Sequence, residues 1–315
     1  MASSREPPAM RDVEMFLHSV VGPRVIGVAA IGAGEWSRAY AYTLDGERFV
    51  IRFGALDEDF RKDALAARFA TPDLPIPEIV AMGEAQDGYF AISRRAEGRF
   101  LDDLDADEMR ATLPSLFATF DAMRTADLRG TSGFGGWGAN GNAPHASWRE
   151  ALLAVGQDRS GSRTHGWRAR LDGSATGSGP FDAAWARLDE LTRIETEVRS
   201  LIHGDLLNRN VLANGERISA VLDWGCAMYG DFLYDVAWLC FWQPWYPAWQ
   251  EVNFAHEAVR HYAAQGLQVP HFRERLLACQ LQIGLDSQAY CAFRERWEML
   301  DEVARYTLAL ARDQQ

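Results

Sequence analysis

The sequence predicts an α+β protein of two lobes: a small, mostly antiparallel β lobe carrying one helix, then a larger, mostly helical lobe. Three observations lead there. Short strand-like runs crowd residues 24–95, helix-period runs dominate from about residue 104, and 315 residues suffice for two lobes with a core each. The division is placed at 1–95 and 96–315.

Residues 11–22 open the chain as a helix with Val13, Phe16, Leu17 and Val20 on one face. Strands follow at Ile26–Ile31, Arg38–Thr43 and Arg48–Phe53, and Asp45-Gly46 joins the last two as a hairpin turn. Residues 57–70 read as a helix with Phe60, Leu65 and Phe69 inward. LPIPEIVAMGE (74–84) runs extended, as its X-Pro steps require, and Tyr89–Ser93 is a further strand. Helices are expected at 106–126, 147–155, 181–199, 231–243, 249–265 and 271–311, with short strands near Ser200–His203, Val211–Ala213 and Ile218–Asp223. Residues 156–180 are rich in Gly and Ser and lack a period, which predicts a surface insertion.

Composition narrows the function. The net charge of −12 argues against nucleic acid as a partner and favours cationic small molecules. Lys62 is the only lysine among 32 basic side chains, so a phosphate site must use arginine, backbone N–H groups or metal ions. Cys226, Cys240, Cys279 and Cys291 lie in apolar surroundings without metal-ligand spacing and are expected as reduced core residues. MASSREPPAM has no apolar signal region, and Val236–Trp249 is short and broken by Pro244 and Pro247; a cytoplasmic protein without membrane contact is expected.

The chemistry centres on LIHGDLLNRNVL (201–212) and VLDWG (221–225). A hairpin between them brings Asp205, Asn210 and Asp223 to one edge. Two carboxylates and an amide suit a hard cation whose shell is completed by substrate phosphate. Upstream, IGAGEWSRAY (31–40) turns between two strands; Gly32 and Gly34 let backbone N–H groups approach phosphate, and Ser37 adds a donor. Arg52 lies on the third strand in VIRFG, with Asp63 on the next helix as its acidic partner and Glu58 as the alternative. His203 looks like a base, but its place before Gly204 points to a loop brace, and Asp235 to a second one.

HGDLLNRN resembles the kinase catalytic loop in spacing, with Gly where HRD has Arg, and VLDWG stands where DFG does. HGD, the GD..YD pattern at 230–235 and LPIPE are similar to the aminoglycoside phosphotransferase family of the protein-kinase-like fold. The similarity is strongest to its hygromycin B branch, through SRAYAYTLDGERFVIRF, TSGFGGWG, FWQPW and IGLD; residues 156–180 and most of the chain after 287 depart from it. A protein kinase is disfavoured, because Asp223 is followed almost at once by a helix instead of a long activation segment.

The resemblance implies an ATP- and Mg2+-dependent kinase, with GTP not excluded, acting on a hydroxyl of an aminoglycoside such as hygromycin B. Residues 1–95 become the nucleotide-binding lobe and 96–315 the catalytic and substrate-binding lobe of a monomer. Asp205 is then the catalytic base, and Asn210 and Asp223 the metal ligands. Arg52, held by Asp63, contacts phosphates, and backbone groups at Arg94–Ala96 hold adenine. Acceptor binding is assigned to Asp231, Trp238, Trp245, Tyr246 and Asp286, because aromatic faces stack on sugars and carboxylates pair with ammonium groups. A kinase for another hydroxylated amine or amino acid, and a nucleotide-binding pseudoenzyme, are the competing readings.

Overall fold

The computed structural model describes residues 10–33, 37–194 and 198–313. The chain opens with helix α1 (Met10–Val20), followed by strands β1 (Val25–Ala33), β2 (Ser37–Leu44) and β3 (Glu47–Gly54). The β2–β3 turn places Asp45 and Gly46 at φ 54° and 84° with Leu44 opposite Glu47, the twist-matched geometry that Asp-Gly adopts readily. Helix α2 (Asp57–Ala66) follows, with three acidic residues in its first turn facing the helix dipole. Strands β4 (Ile79–Ala85) and β5 (Gly88–Arg94) complete a five-stranded antiparallel sheet in the order β1-β2-β3-β5-β4. Pro75 and Pro77 delay β4, which lies at the sheet edge where missing N–H donors cost least. Val13 and Leu17 of α1 pack with Ile51, Phe90 and Ile92 to form the small core.

The rest is mostly helical. It contains α3 (Ala106–Arg124), α4 (Trp148–Leu153), α5 (Trp167–Asp172), α6 (Gly179–Leu191), α7 (Leu233–Trp242), α8 (Phe254–Ala264), α9 (Phe272–Phe293) and α10 (Trp297–Arg312). Asp105 and Glu108 cap α3 reciprocally, a motif of about 1 kcal/mol. Two three-stranded sheets lie among the helices. One pairs β6 (Arg99–Phe100) with β9 (Val211–Asn214) and β10 (Arg217–Val221); the other pairs β7 (Gly135–Gly136) and β8 (Ser200–Ile202) with β11 (Met228–Gly230). Among the described residues, no helix is long and apolar enough to cross a membrane.

The α+β architecture agrees with the sequence, and four expectations change. The helix expected over 271–311 breaks between α9 and α10, where Glu295 adopts φ 56°. The one expected over 249–265 begins only at Phe254, after short 3-10 turns that start at Gln243 and Pro247. The one expected over 181–199 stops at Leu191. Residues 156–180 are more than a surface insertion: α5 lies inside, and its Trp167 and Leu171 join the large core. Two apolar anchors four residues apart give too little periodicity to read. Ala66, Leu74 and Ile76 also pack into that large core, so the boundary drawn at residue 95 divides the sheets better than the cores.

Candidate active site between the lobes

The hairpin β9–β10 returns the chain so that the loop before β9 and the loop after β10 share one edge, as the sequence predicts. Neutral His203 ties them. Its Nδ1 accepts from the Asp205 N–H at 3.2 Å, so Nε2 carries the proton and donates to the Leu222 carbonyl at 2.8 Å. Burial keeps this imidazole below its usual pKa, which disfavours the charged form. Asp235 on α7 accepts from the N–H groups of His203 and Gly204, both at 2.9 Å. Gly204 sits at φ 76°, and a Cβ there would lie 2.8 Å from the Cys226 carbonyl. Only glycine fits, which explains HGD in place of HRD.

Asp205 is partly accessible, beside the cleft-lining Asn208 and Asn210. It accepts from Asn208 Nδ2 at 2.7 Å and Asn210 Nδ2 at 3.0 Å. Burial, reinforced by Asp223, pushes its carboxyl up to about 8 against those hydrogen bonds. Asn208 and Arg209 are left-handed, at φ 66° and 65°. Asp102 holds both, accepting from their N–H groups at 2.8 and 3.1 Å, and also from the Tyr246 hydroxyl at 3.0 Å. No motif points to Asp102, whose partners lie more than a hundred positions away. Asp223 is exposed and left-handed at φ 56°.

A cleft of about 520 Å3 separates this edge from the five-stranded sheet. Gly32, Ser37, Arg52, Asp63, Arg94, Ala96, Asn210 and Asp223 all line it, so most nucleotide-site candidates converge. Gly34 lies outside the described residues. Asp63, not Glu58, pairs with Arg52, and its other oxygen accepts from the Trp224 N–H at 2.7 Å. Burial works against both charges in the pair. For Arg52 the Asp63 and Asp223 carboxylates outweigh it and keep the guanidinium charged, while burial raises the Asp63 carboxyl against the opposing pull of Arg52. Glu58 instead faces Arg163, which binds Asp59 through both nitrogens at 2.8 and 3.1 Å. A larger hollow of about 980 Å3 between Phe69 and His261 holds none of the candidates. Among the described residues no group of three or more His, Cys, Asp or Glu could hold a metal.

The acceptor candidates divide. Tyr246 reaches the catalytic loop through Asp102 and stacks on Trp249 at 4.2 Å. The Asp286 carboxylate is open to water yet crowded by protein on nearly all sides, as at the floor of a recess; that desolvation pushes it up to about 6. It lies within electrostatic reach of Cys226, as do Asp205 and Asp223. Cys226 therefore lines an acidic recess and is not the core residue expected, while Cys279 and Cys291 are buried. Asp231 is a correction: it is buried, binds Arg275 through two hydrogen bonds of 2.7 Å, and caps α7 at the Leu233 N–H. No charge remains for a substrate. Trp245, partly exposed, packs on Phe241 and Tyr306 with its N–H toward Glu302 of α10. Trp238 is half-buried between Tyr234 and Trp242.

Comparison with known proteins gives this geometry a lineage. Hygromycin-B 4-O-kinase of Escherichia coli is 36% identical over 261 residues, 81% of this chain and 72% of that protein. The crystal structure of aminoglycoside phosphotransferase APH(4)-Ia matches with a TM-score of 0.85 at 31% identity, covering 98% of this chain and 100% of that one. A thermostable mutant of it, in ternary complex with AMP-PNP and hygromycin B, matches at 0.83 with 32% identity, over 96% and 98%. The fold alone extends to spectinomycin phosphotransferase APH(9)-Ia, at 0.63 and 12% identity over 97% and 99%. Residues 27–274, spanning the sheet, the cleft and the catalytic edge, match one family throughout: the chain belongs to the phosphotransferase enzyme family, APH.

Proposed function

We propose that this protein is an ATP-dependent O-phosphotransferase that phosphorylates a hydroxyl of an aminoglycoside, hygromycin B foremost, and so confers resistance. The observation that carries the reading is the convergence of Asp205, Asn210 and Asp223 on one edge of a cleft whose other wall presents Arg52. The relatives named above supply the acceptor.

Asp205 orients the acceptor hydroxyl and takes its proton as the oxygen attacks the γ-phosphorus and ADP leaves. A carboxyl near 8 is well matched to that proton, and Asn208 and Asn210 fix its two oxygens. Arg52, held ionised by Asp63, pairs with nucleotide phosphates, and Gly32 and Ser37 line the same wall. Arg94 and Arg95 commit their N–H groups to the Glu78 and Arg48 carbonyls, which leaves Ala96 to present backbone to an adenine edge. Val50, Leu212 and Val221 supply apolar faces around the base. Mg2+ fits the donors: Asn210 commits its N–H to Asp205, leaving its oxygen, and Asp223 is exposed. Two protein oxygens with phosphates completing the shell is the usual Mg2+ arrangement, and when bound the ion neutralises charge on the transferring group. Asp286 and Tyr246 face the acceptor. The protein acts as a cytoplasmic monomer without nucleic acid, in keeping with its charge of −12.

Expression in a sensitive bacterium should allow growth on hygromycin B, and Asp205→Ala should abolish it, with turnover in an ADP-release assay down by about 10²–10⁴-fold. Near-native turnover in that variant would sink the mechanism. A panel of other aminoglycosides and amino alcohols in the same assay identifies the acceptor.

A further inference from the structure

Lys62 stands alone in a chain that otherwise uses arginine for every basic side chain. It is only 6% exposed. Its ammonium donates to the Gly225 carbonyl at 2.5 Å and lies 5.1 Å from the centre of the Trp137 ring, itself buried. Gly225 is two residues past Asp223. The next residue of the helix, Asp63, accepts from the Trp224 N–H in the same turn. Two consecutive side chains of α2 thus grip the backbone of two consecutive residues after Asp223, one donating and one accepting.

We propose that Lys62 is a positioning residue for phosphoryl transfer: it fixes the loop that presents Asp223, and arginine cannot replace it. The inference rests on reading Asp223 as a metal ligand. Asp223 has a left-handed backbone at φ 56° and ψ 77°, and its carboxylate lies 3.4 Å from the Gly225 N–H. Without an outside hold, such a loop has no reason to keep one carboxylate direction. In contact the slot offers one carbonyl and one aromatic face, which suits a compact ammonium; the Glu58 and Asp59 carboxylates within electrostatic reach are already engaged by Arg163. A planar guanidinium is larger, carries five donors in a fixed fork, and would leave most of them buried and unpaired. A composition that favours arginine everywhere else makes the one lysine informative.

The test compares Lys62→Arg, Lys62→Met and Asp223→Ala with the native protein. The readouts are AMP-PNP binding by calorimetry with and without Mg2+, steady-state kinetics with hygromycin B, and melting temperature. Lys62→Arg and Lys62→Met are expected to bind AMP-PNP normally without Mg2+. Each should lose about 10–100-fold in the Mg2+-dependent gain in affinity and in kcat, the range typical of groups that orient metal ligands. KM for the acceptor should stay within about two-fold. A native Mg2+ gain and kcat in Lys62→Arg overturns the proposal, and so does equal loss of nucleotide binding with and without Mg2+. Should Lys62→Arg melt below the assay temperature, Lys62→Met, which keeps the packing, decides by the same criteria. Asp223→Ala separates the two ideas: an intact Mg2+ gain there refutes the metal-ligand reading itself, whereas its loss beside a native Lys62→Arg refutes only the role of Lys62.

Discussion

Asp286 keeps a carboxylate where the surrounding protein disfavours its charge. Its folded pKa of about 6 lies above the ordinary carboxylate value of about 3.9. The folded state therefore holds an extra proton between those values, and the stability this group contributes is present below about 4 and lost as pH rises through 6. Asp286→Asn should raise the melting temperature at pH 7 and leave it unchanged at pH 4. Acceptor binding runs the opposite way, because a cationic acceptor needs the charged form, so its KM should climb as pH falls below 6. An Asp286→Asn protein with native melting at pH 7 and native acceptor KM would remove the residue from the site. Asp231 shows the converse case. It follows Gly230 in a family-like pattern and looks available, yet Arg275, forty-four positions on, consumes it. Spacing within a motif made Asp205, Asn210 and Asp223 legible, and the family pattern made the Arg52–Asp63 pair and the Asp235 brace legible; the partners of Asp231 and Asp102, which come from other elements and belong to no motif, were not.

Segment 156–180 carries the same lesson among the elements. Hairpins are readable because the turn residues and the alternation sit side by side, as at Asp45-Gly46. Helix α5 has only six residues, and what holds it is the burial of Trp167 against Phe181, with ring centres 5.0 Å apart. Trp167→Ala should destabilise the protein by about 3–5 kcal/mol, read as a lowered urea midpoint at unchanged slope; a change within about 0.5 kcal/mol would mark the segment as a mere surface loop. The helix boundaries that moved at Phe254 and Glu295 did so where 3-10 turns or a left-handed residue interrupt an apolar pattern that itself continues.

For the molecule as a whole, the charge of −12 gives electrostatics two opposite jobs, since one proposed substrate is a cation and the other an anion. Salt shortens the reach of these fields, from about 30 Å at 0.01 M to about 10 Å at 0.1 M. KM for hygromycin B should rise with salt while KM for ATP stays level or falls. Parallel responses in kinetics over a salt series would contradict an acidic acceptor site. Helix α2 lies between the sheet and the catalytic edge: its Lys62 and Asp63 grip the loop after Asp223, and Asp63 also holds Arg52 on β3. Swinging that helix outward would strand a half-buried arginine and a buried aspartate without partners, at a cost of about 3–5 kcal/mol. A regulator that works by displacing the helix therefore finds no idle conformation to select. Along this route the fold offers no dimmer.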